Sequence, residues 1–300
     1  MGIPLCILAH NEETHIQDCV RAVLKGLEPD TFKAFVYANG CTDKTAARVE
    51  ELARTNSQVA LRSLTIASKA NAWNVAFSEH QSEFMVFSDG DVMPEKGAVL
   101  MLLAELKSKP EAVVVSSRQL PHPQGLGLEQ KIVGFLQLPL LHEYLYGGLY
   151  AVRRQALVDI LAAKGFTGMP AGITGEDCFL EALLAPNQLL ISKCKTYYEP
   201  ATFKEYFRYL ARLRWQNEQR WMVYGIKPAA RPTLASKFTH KVLASKDFGY
   251  LLVSVPAVVM RIGFKALFAR KIGAIYQSLG PVSRDGASVL NSLTRSNSTK

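Results

Sequence analysis

Residues 84–91 read Phe84-Met85-Val86-Phe87-Ser88-Asp89-Gly90-Asp91, an apolar run that stops on two carboxylates separated by one glycine. The run has the length of a buried strand, and the glycine permits a tight turn that brings both acids to one spot. Hard divalent cations prefer carboxylate oxygens, and Mg2+ typically takes one or two of them together with substrate phosphates. A solvated acidic turn has the same spelling, so the stretch takes its meaning from its neighbours.

Upstream lie three more apolar runs, each followed by a polar cluster and a helical pattern. Residues 4–9 end at His10-Asn11-Glu12, ahead of a helix to about Leu27. Residues 32–37 end at Asn39-Gly40-Cys41-Thr42-Asp43, with Thr42 the expected N-cap of a helix to about Ala53. Residues 59–66 meet Ser68 and a helical stretch to His80. Downstream, a helix is expected to open near Pro94, since proline is favoured at the first helical position, and a fifth run covers Ala112 to Ser116. Strands alternating with helices of this length predict an α/β fold with a mostly parallel sheet covered by helices on both faces. Ligands of such sheets bind beyond the carboxyl ends of the strands, where the three polar clusters fall.

The alternation weakens after residue 120. PHPQGLGLEQ (121–130) is a turn-rich linker, 129–146 has a helical pattern, and Gly147-Gly148-Leu149-Tyr150-Ala151-Val152 opens a strand. A Gly/Pro loop over 168–175 leads to Glu176-Asp177, and an aromatic, basic helix is expected over about 203–224. Residues 228–300 read as a separate basic segment whose last ten residues are expected to be disordered.

The 300 residues are 48% hydrophobic and 20% charged, which excludes a disordered, collagen-like or coiled-coil chain and allows a sizeable core. No run of about 18 clean apolar residues is present, and the N-terminal stretch lacks the basic region and cleavage site of a signal peptide. The five cysteines, Cys6, Cys19, Cys41, Cys178 and Cys194, fit no zinc or CxxC spacing and are expected as reduced thiols. Charge is uneven: residues 1–200 hold 18 Lys+Arg and 22 Asp+Glu, whereas residues 201–300 hold 17 and 4. A third of the chain at +13 invites an anionic surface.

Taken in order, ILAHNEE (7–13), VYANGCTDKT (36–45), SKANAWN (68–74) and FSDGD (87–91) resemble the family-2 glycosyltransferases of GT-A fold. GGLYAVRRQAL (147–157) and TGEDCFLEALL (174–184) resemble that family's acceptor-side strand and its paired-acid motif. The resemblance covers roughly residues 3–225. It implies a GT-A domain over 1–225, with a nucleotide-binding half to about 118 and an acceptor-binding half over 119–225, followed by a basic helical extension over 226–300.

Site roles follow from the same resemblance. Ala9, His10, Asn11 and Glu12 would line the nucleotide pocket, Asn39 would face the base, and Lys69 would meet the diphosphate. Ala38 stands where the family commonly has an aspartate, which leaves one base or ribose contact open. Asp91 would bind Mg2+ or Mn2+ directly, with Asp89 touching metal, ribose or donor sugar. Asn74 is read equally well as structural. Asp177, with Glu176 as its neighbour, is the candidate general base for an acceptor hydroxyl, since such a displacement needs a carboxylate to take the proton. Arg214 and Trp215 match the Arg-Trp of the family's Q-x-x-R-W, although the glutamine is replaced by Ala211, which argues against a processive synthase. Which arginine of the 208–220 region meets the diphosphate stays open.

The expected activity is an inverting, metal-dependent, non-processive transfer from a nucleotide-diphosphate sugar, a UDP-sugar by preference, to a hydroxyl of a glycan or lipid-linked acceptor. The alternatives are a polyprenyl-phosphate glycosyltransferase, whose acceptor needs no base, and a non-catalytic sugar-nucleotide or nucleic-acid-binding protein. No nucleic-acid motif is present, so nucleic acid is not an expected partner. Residues 246–276 combine a short apolar stretch with Arg261, Lys265, Arg270 and Lys271, which suits an anionic membrane interface. A packed helix is the alternative there. A cytoplasmic protein, peripheral at the inner face of the membrane, is expected.

Overall fold

The computed structural model describes residues 2–122, 124–137, 145–226, 259–260 and 262–279. In chain order its elements are β1 (Ile3–Ala9), α1 (Ile16–Leu24), β2 (Phe32–Asn39), α2 (Thr45–Thr55), β3 (Val59–Leu64), α3 (Lys69–Glu79), β4 (Phe84–Asp89), β5 (Met93–Pro94), α4 (Ala98–Ser108) and β6 (Val114–Pro121). They continue with α5 (Leu128–Gln137), β7 (Leu149–Arg153), α6 (Arg154–Ala163), α7 (Glu176–Leu183), β8 (Leu189–Tyr198), α8 (Phe203–Met222) and α9 (Ala269–Ser278).

The eight strands form one sheet in the order β3-β2-β1-β4-β7-β6-β8-β5. β1 runs parallel to β2 and β4, and β2 parallel to β3, as the alternating sequence predicts. Beyond β4 the sheet changes direction: β7 is antiparallel to both β4 and β6, and β5 to β8. Pairing of Leu8 with both Tyr37 and Asp89 makes β1, β2 and β4 end together, and pairing of Ser88 with Leu149 brings the start of β7 to the same rim. The three polar clusters and the Gly147-Gly148 pair therefore meet at one edge of the sheet.

Local pattern explains these elements. α1 buries Ile16, Cys19, Val20, Val23 and Leu24, the spacing of one helical face. β1 lies between two strands and is buried from Pro4 to Ala9, so it reads as an unbroken apolar run. A second block of core forms where Trp73 stacks on Phe77 and Phe87 at 4.5 and 5.3 Å, Phe87 stacks on Tyr150 at 5.5 Å, and the Trp73 indole N–H donates to the Tyr150 hydroxyl at 3.0 Å.

Several boundaries differ from expectation. Pro94 lies in the two-residue edge strand β5, a place that tolerates a residue without an N–H, and α4 opens only at Ala98 after Gly97, whose φ is +82°. Thr42 does not cap α2; the amide of Thr45, its first residue, donates to Asp43 Oδ1 at 2.9 Å. Within the expected 129–146 helix, α5 covers 128–137, residues 138–144 lie outside the described residues, and 145–146 are not helical. β8 was not anticipated because its inward positions are Ser192, Cys194 and Thr196, which are buried but not strongly apolar.

The chain divides into two compact units. Apart from the last residues, one comprises 1–119 and 143–198, and the other 120–142 and 199–284. The division falls after Tyr198 rather than at 225, so α8 belongs to the second unit. There a Thr202–Glu205 capping box starts α8, which packs Tyr206 and Leu210 against Val133 and Leu136 of α5. Phe264 stacks on Phe203 and Phe207, and Trp215 is enclosed with Ala211 and Leu279.

Trp73 tests the first unit's second core block. Trp73→Ala removes a fully buried ring and leaves the Tyr150 hydroxyl without its donor. Denaturant unfolding should show a loss of about 3–5 kcal/mol.

Candidate active site

The rim is built from loops that hold one another. The Asn39 side-chain amide donates to the Ala9 carbonyl at 2.7 Å, and His10 Nδ1 donates to the Asn39 carbonyl at 2.7 Å. Asn39, expected to face a base, is almost wholly buried and spends its amide on β1. Asn11 has φ +58°, the left-handed region that asparagine tolerates better than most residues, and its Oδ1 accepts the Thr42 N–H at 2.8 Å. Asp43 takes the Thr45 hydroxyl at 2.5 Å and the Glu13 amide at 3.1 Å, while Thr45 Oγ1 accepts the Glu12 N–H at 2.7 Å. Although partly desolvated, the Asp43 carboxyl is held below its usual range by these donors. The turn after β2 thus clamps the turn after β1.

The Asp89-Gly90-Asp91 turn lies directly against this clamp. A Cβ on Gly90 would sit 2.9 Å from the Ala9 Cβ and 3.3 Å from the Glu12 Cγ, so only glycine fits without a shift. Burial first, then the carboxylates of Asp91, Asp89 and Asp43, push the Glu12 carboxyl up to about 8. Asp91 is exposed, and among the described residues its carboxylate has no ion-pair partner. The backbone of Asp89 is fixed on three sides: its N–H donates to the Gly148 carbonyl at 3.0 Å, and its carbonyl accepts from Ser88 Oγ at 2.9 Å and Cys19 Sγ at 3.2 Å.

Lys69 joins the two acid pairs. Its ammonium lies 2.5 Å from Asp89 Oδ1 and also pairs with Glu176 Oε1. Burial alone would lower the Lys69 pKa, but the two carboxylates outweigh it and hold it well above the usual lysine value. Lys69 begins α3, whose N-cap Ser68 accepts the Asn71 N–H at 3.2 Å. A cation at that end opposes the helix dipole, and the flanking acids offset the conflict. Glu176 and Asp177 begin α7, where the dipole favours carboxylates. The Asp177 carboxyl is pushed up by burial and then by Glu176.

The loop ahead of α7 is anchored by Asn74. Its Nδ2 donates to the Met169 carbonyl and its Oδ1 accepts the Met169 N–H, both at 2.8 Å. Asn74 is therefore a structural clip. Arg214 and Trp215 belong to the second unit: Trp215 is fully buried, and Arg214 donates to Glu218 at 3.1 Å with its guanidinium 4.2 Å from the centre of the Tyr276 ring. A tryptophan with no exposed surface packs rather than binds.

The sequence motifs assign no individual site role to Cys19, Asp43, Thr45 or Tyr146, and give Gly147-Gly148 only as the opening of a strand. The paired glycines were a usable signal, since a strand that begins with two of them marks a close approach. A Cβ on Gly147 would sit 3.1 Å from Glu176 Oε1 and 3.3 Å from the Asp177 Cβ.

Residues 5–134 match the family model described as Glycosyl transferase family 2. Over that stretch, less than half of the chain, the sequence is similar to this family, and the activity the match supports is glycosyl transfer. Comparison of the sequence with curated proteins returns no match. Among solved structures, the chain is similar to a mannosyltransferase from Pyrobaculum calidifontis in complex with GDP-Man and Mn2+, at 17% identity and TM-score 0.57, over 98% of this chain and 86% of that one. It is also similar to the glucosyl-3-phosphoglycerate synthase of Mycobacterium tuberculosis in complex with Mn2+, UDP-glucose and phosphoglyceric acid, at 18% identity and TM-score 0.51, over 76% of this chain and 81% of that one. At these identities the likeness shows the fold, which is GT-A.

The charge arrangement sets a pH dependence. Because the folded Glu12 carboxyl titrates near 8 rather than at the usual 4.5, the folded chain binds more protons than the unfolded one between those values. Stability should therefore fall as pH rises through that window. Glu12→Gln mimics the protonated form, so its Tm should match the wild type near pH 4 and exceed it at pH 8.5. A Tm difference that does not change with pH would contradict the assigned repulsion.

Proposed function

We propose that this protein is an inverting, metal-dependent and non-processive glycosyltransferase, and moves a sugar from a nucleotide diphosphate to a hydroxyl of a glycan or lipid-linked acceptor. The observation that carries the reading is the placement of two acid pairs, Asp89/Asp91 and Glu176/Asp177, on either side of the Gly147-Gly148 strip, with Lys69 linking the inner member of each.

Within each pair the inner acid is engaged and the outer one is left for chemistry. Asp91 would hold the metal. Among the described residues no three His, Cys, Asp or Glu side chains form a metal cage, which suits a cation completed by diphosphate oxygens. The mutual repulsion of Glu12, Asp89 and Asp91 favours a cation beside them, and oxygen donors suit Mg2+ or Mn2+. When bound, that cation neutralises charge on the leaving diphosphate.

Asp177 would act as general base. The acceptor oxygen forms its bond to the anomeric carbon as the bond to the diphosphate oxygen breaks, and the hydroxyl proton passes to the Asp177 carboxylate. A base opposite the leaving group requires displacement in line, hence inversion. A carboxyl pushed up by burial lies closer to working pH, where a general base is most effective. Glu176, neutralised by Lys69, positions its neighbour. Lys69, expected at the diphosphate, has its ammonium shared between Asp89 and Glu176 and would reach a donor phosphate only beside them. The donor's sugar and base are read by a pocket with Asn39 turned inward. UDP-sugars remain the preferred class, and the two similar structures, bound to GDP-Man and UDP-glucose, make both nucleotides part of any test.

Asp177→Asn should keep donor binding and lose about 10²–10⁴-fold in turnover. Asp91→Ala should abolish both transfer and the gain in nucleotide affinity on adding Mn2+. A near-normal rate for either variant, or a product that keeps the donor's anomeric configuration, would refute the assignment.

We also propose peripheral contact with an anionic, cytoplasmic membrane face through residues 246–276. Residues 246–258 and 261 lie outside the described residues. Among the described ones, Val259, Met260, Ile262 and Leu267 are exposed beside Lys265, Arg270 and Lys271, and no helix is long and apolar enough to cross a membrane. Each basic side chain near such a surface contributes ~1 kcal/mol, which salt screens, whereas apolar burial persists in salt. The chain should float with anionic liposomes, release partly at high salt and ignore neutral ones. Equal flotation after deletion of residues 246–300 would count against this contact.

A further inference from the structure

The Tyr146-Gly147-Gly148 entry to β7 runs between the two acid pairs. Gly148 adjoins the donor-side pair, since its carbonyl takes the Asp89 N–H. Gly147 adjoins the acceptor-side pair, with room for no more than its hydrogens against Glu176 and Asp177. The only side chain of this strip belongs to Tyr146, and it folds forward over the glycines: a Cβ on Gly148 would overlap Tyr146 Cε1, Cζ and Oη.

Tyr146 is held in this pose by its main chain. Ser116 Oγ accepts its N–H at 2.9 Å and donates to its carbonyl at 3.2 Å. The ring is half-buried and rests on the main core. Burial, followed by the charges of Asp91, Asp89 and Asp177, raises the phenol well above its usual value, so it keeps its proton. Among the described residues no group forms a hydrogen bond with that hydroxyl. The phenol is thus a neutral donor without a partner among the described residues, on the strip that borders both acid pairs.

We infer that Tyr146 contacts the transferred sugar, its hydroxyl hydrogen-bonding a pyranose hydroxyl. The inference rests on the proposed function. In that reaction the anomeric carbon lies between the diphosphate at Asp91 and the acceptor oxygen at Asp177, which is the interval Tyr146 occupies. The two glycines let the Tyr146 ring and the Glu176/Asp177 pair come close to the backbone, and a neutral O–H suits a sugar hydroxyl better than a charged group does, because neither partner must shed a charge's hydration. Tyr146 is in this sense a specificity-determining residue, distinct from the groups that hold the nucleotide or move the proton.

Tyr146→Phe keeps the ring over Gly148 and deletes only the hydroxyl. Affinities would be measured with Mn2+ for UDP, GDP, UDP-glucose, UDP-N-acetylglucosamine and GDP-mannose, on wild type and variant. The variant should bind the nucleotide diphosphates as the wild type does and bind the preferred nucleotide sugar about 5- to 10-fold more weakly, the scale of one neutral hydrogen bond. Equal weakening toward diphosphate and nucleotide sugar would show a structural role and overturn the inference, as would unchanged affinity for both. A wild-type chain that binds none of the nucleotide sugars would overturn the glycosyl-transfer reading itself, and this one with it.

Discussion

One ammonium group ties the site together. Lys69, at the first residue of α3, takes carboxylates from the end of β4 and the start of α7. Removing either acid would leave a charge in a partly buried place without its counterpart, a far costlier state than the intact set. The arrangement fixes Asp89 and Glu176 and so fixes where their neighbours Asp91 and Asp177 can be. The residues at the centre hold geometry, and their neighbours one step outward make no ion pair among the described residues.

The surrounding loops serve the same end by hydrogen bonds. Asn39, Asn11, Asp43 and Thr45 all direct side-chain atoms to backbone groups across the β1 and β2 turns. Buried backbone polar groups at strand ends need partners, and here side chains supply them. The cost is that the Asn39 amide is committed to the β1 end. The pocket must be shaped by the backbone it holds in place.

Much of the first half was legible because period and punctuation agree. β1 to β4 are apolar runs ending in polar clusters, α1 shows one apolar face, and α3 follows Ser68 where a helical stretch is expected. The second half was harder for physical reasons. Polar residues on the inward face hide β8, and Pro94 carries a helix-start signal but occupies a sheet edge, where its missing N–H costs nothing. Among candidate residues, Asp89, Asp91, Glu12, Glu176 and Asp177 gather at one rim as their motifs imply. Trp215 shows the opposite: an Arg-Trp spelling says nothing about which side of a helix is packed, and Leu279, far along the chain, closes over it. Lys69 is expected from its motif to meet a diphosphate, whereas the carboxylates it pairs with come from elements too distant in sequence to read.

The pair of hydrogen bonds between Asn74 and Met169 has a further consequence. An amide side chain here takes the part of a neighbouring strand, and the Ser68 hydroxyl, at the N-cap of the same helix, adds a bond to the Ala171 carbonyl at 3.4 Å. α3 and its cap thus hold the loop at both Met169 and Ala171. The chain after Ala171 must cover the short span to Glu176 and deliver α7 to Lys69 in one orientation. A residue inserted in that span would rotate the acids away from their lysine, so its length is a fixed dimension of the rim.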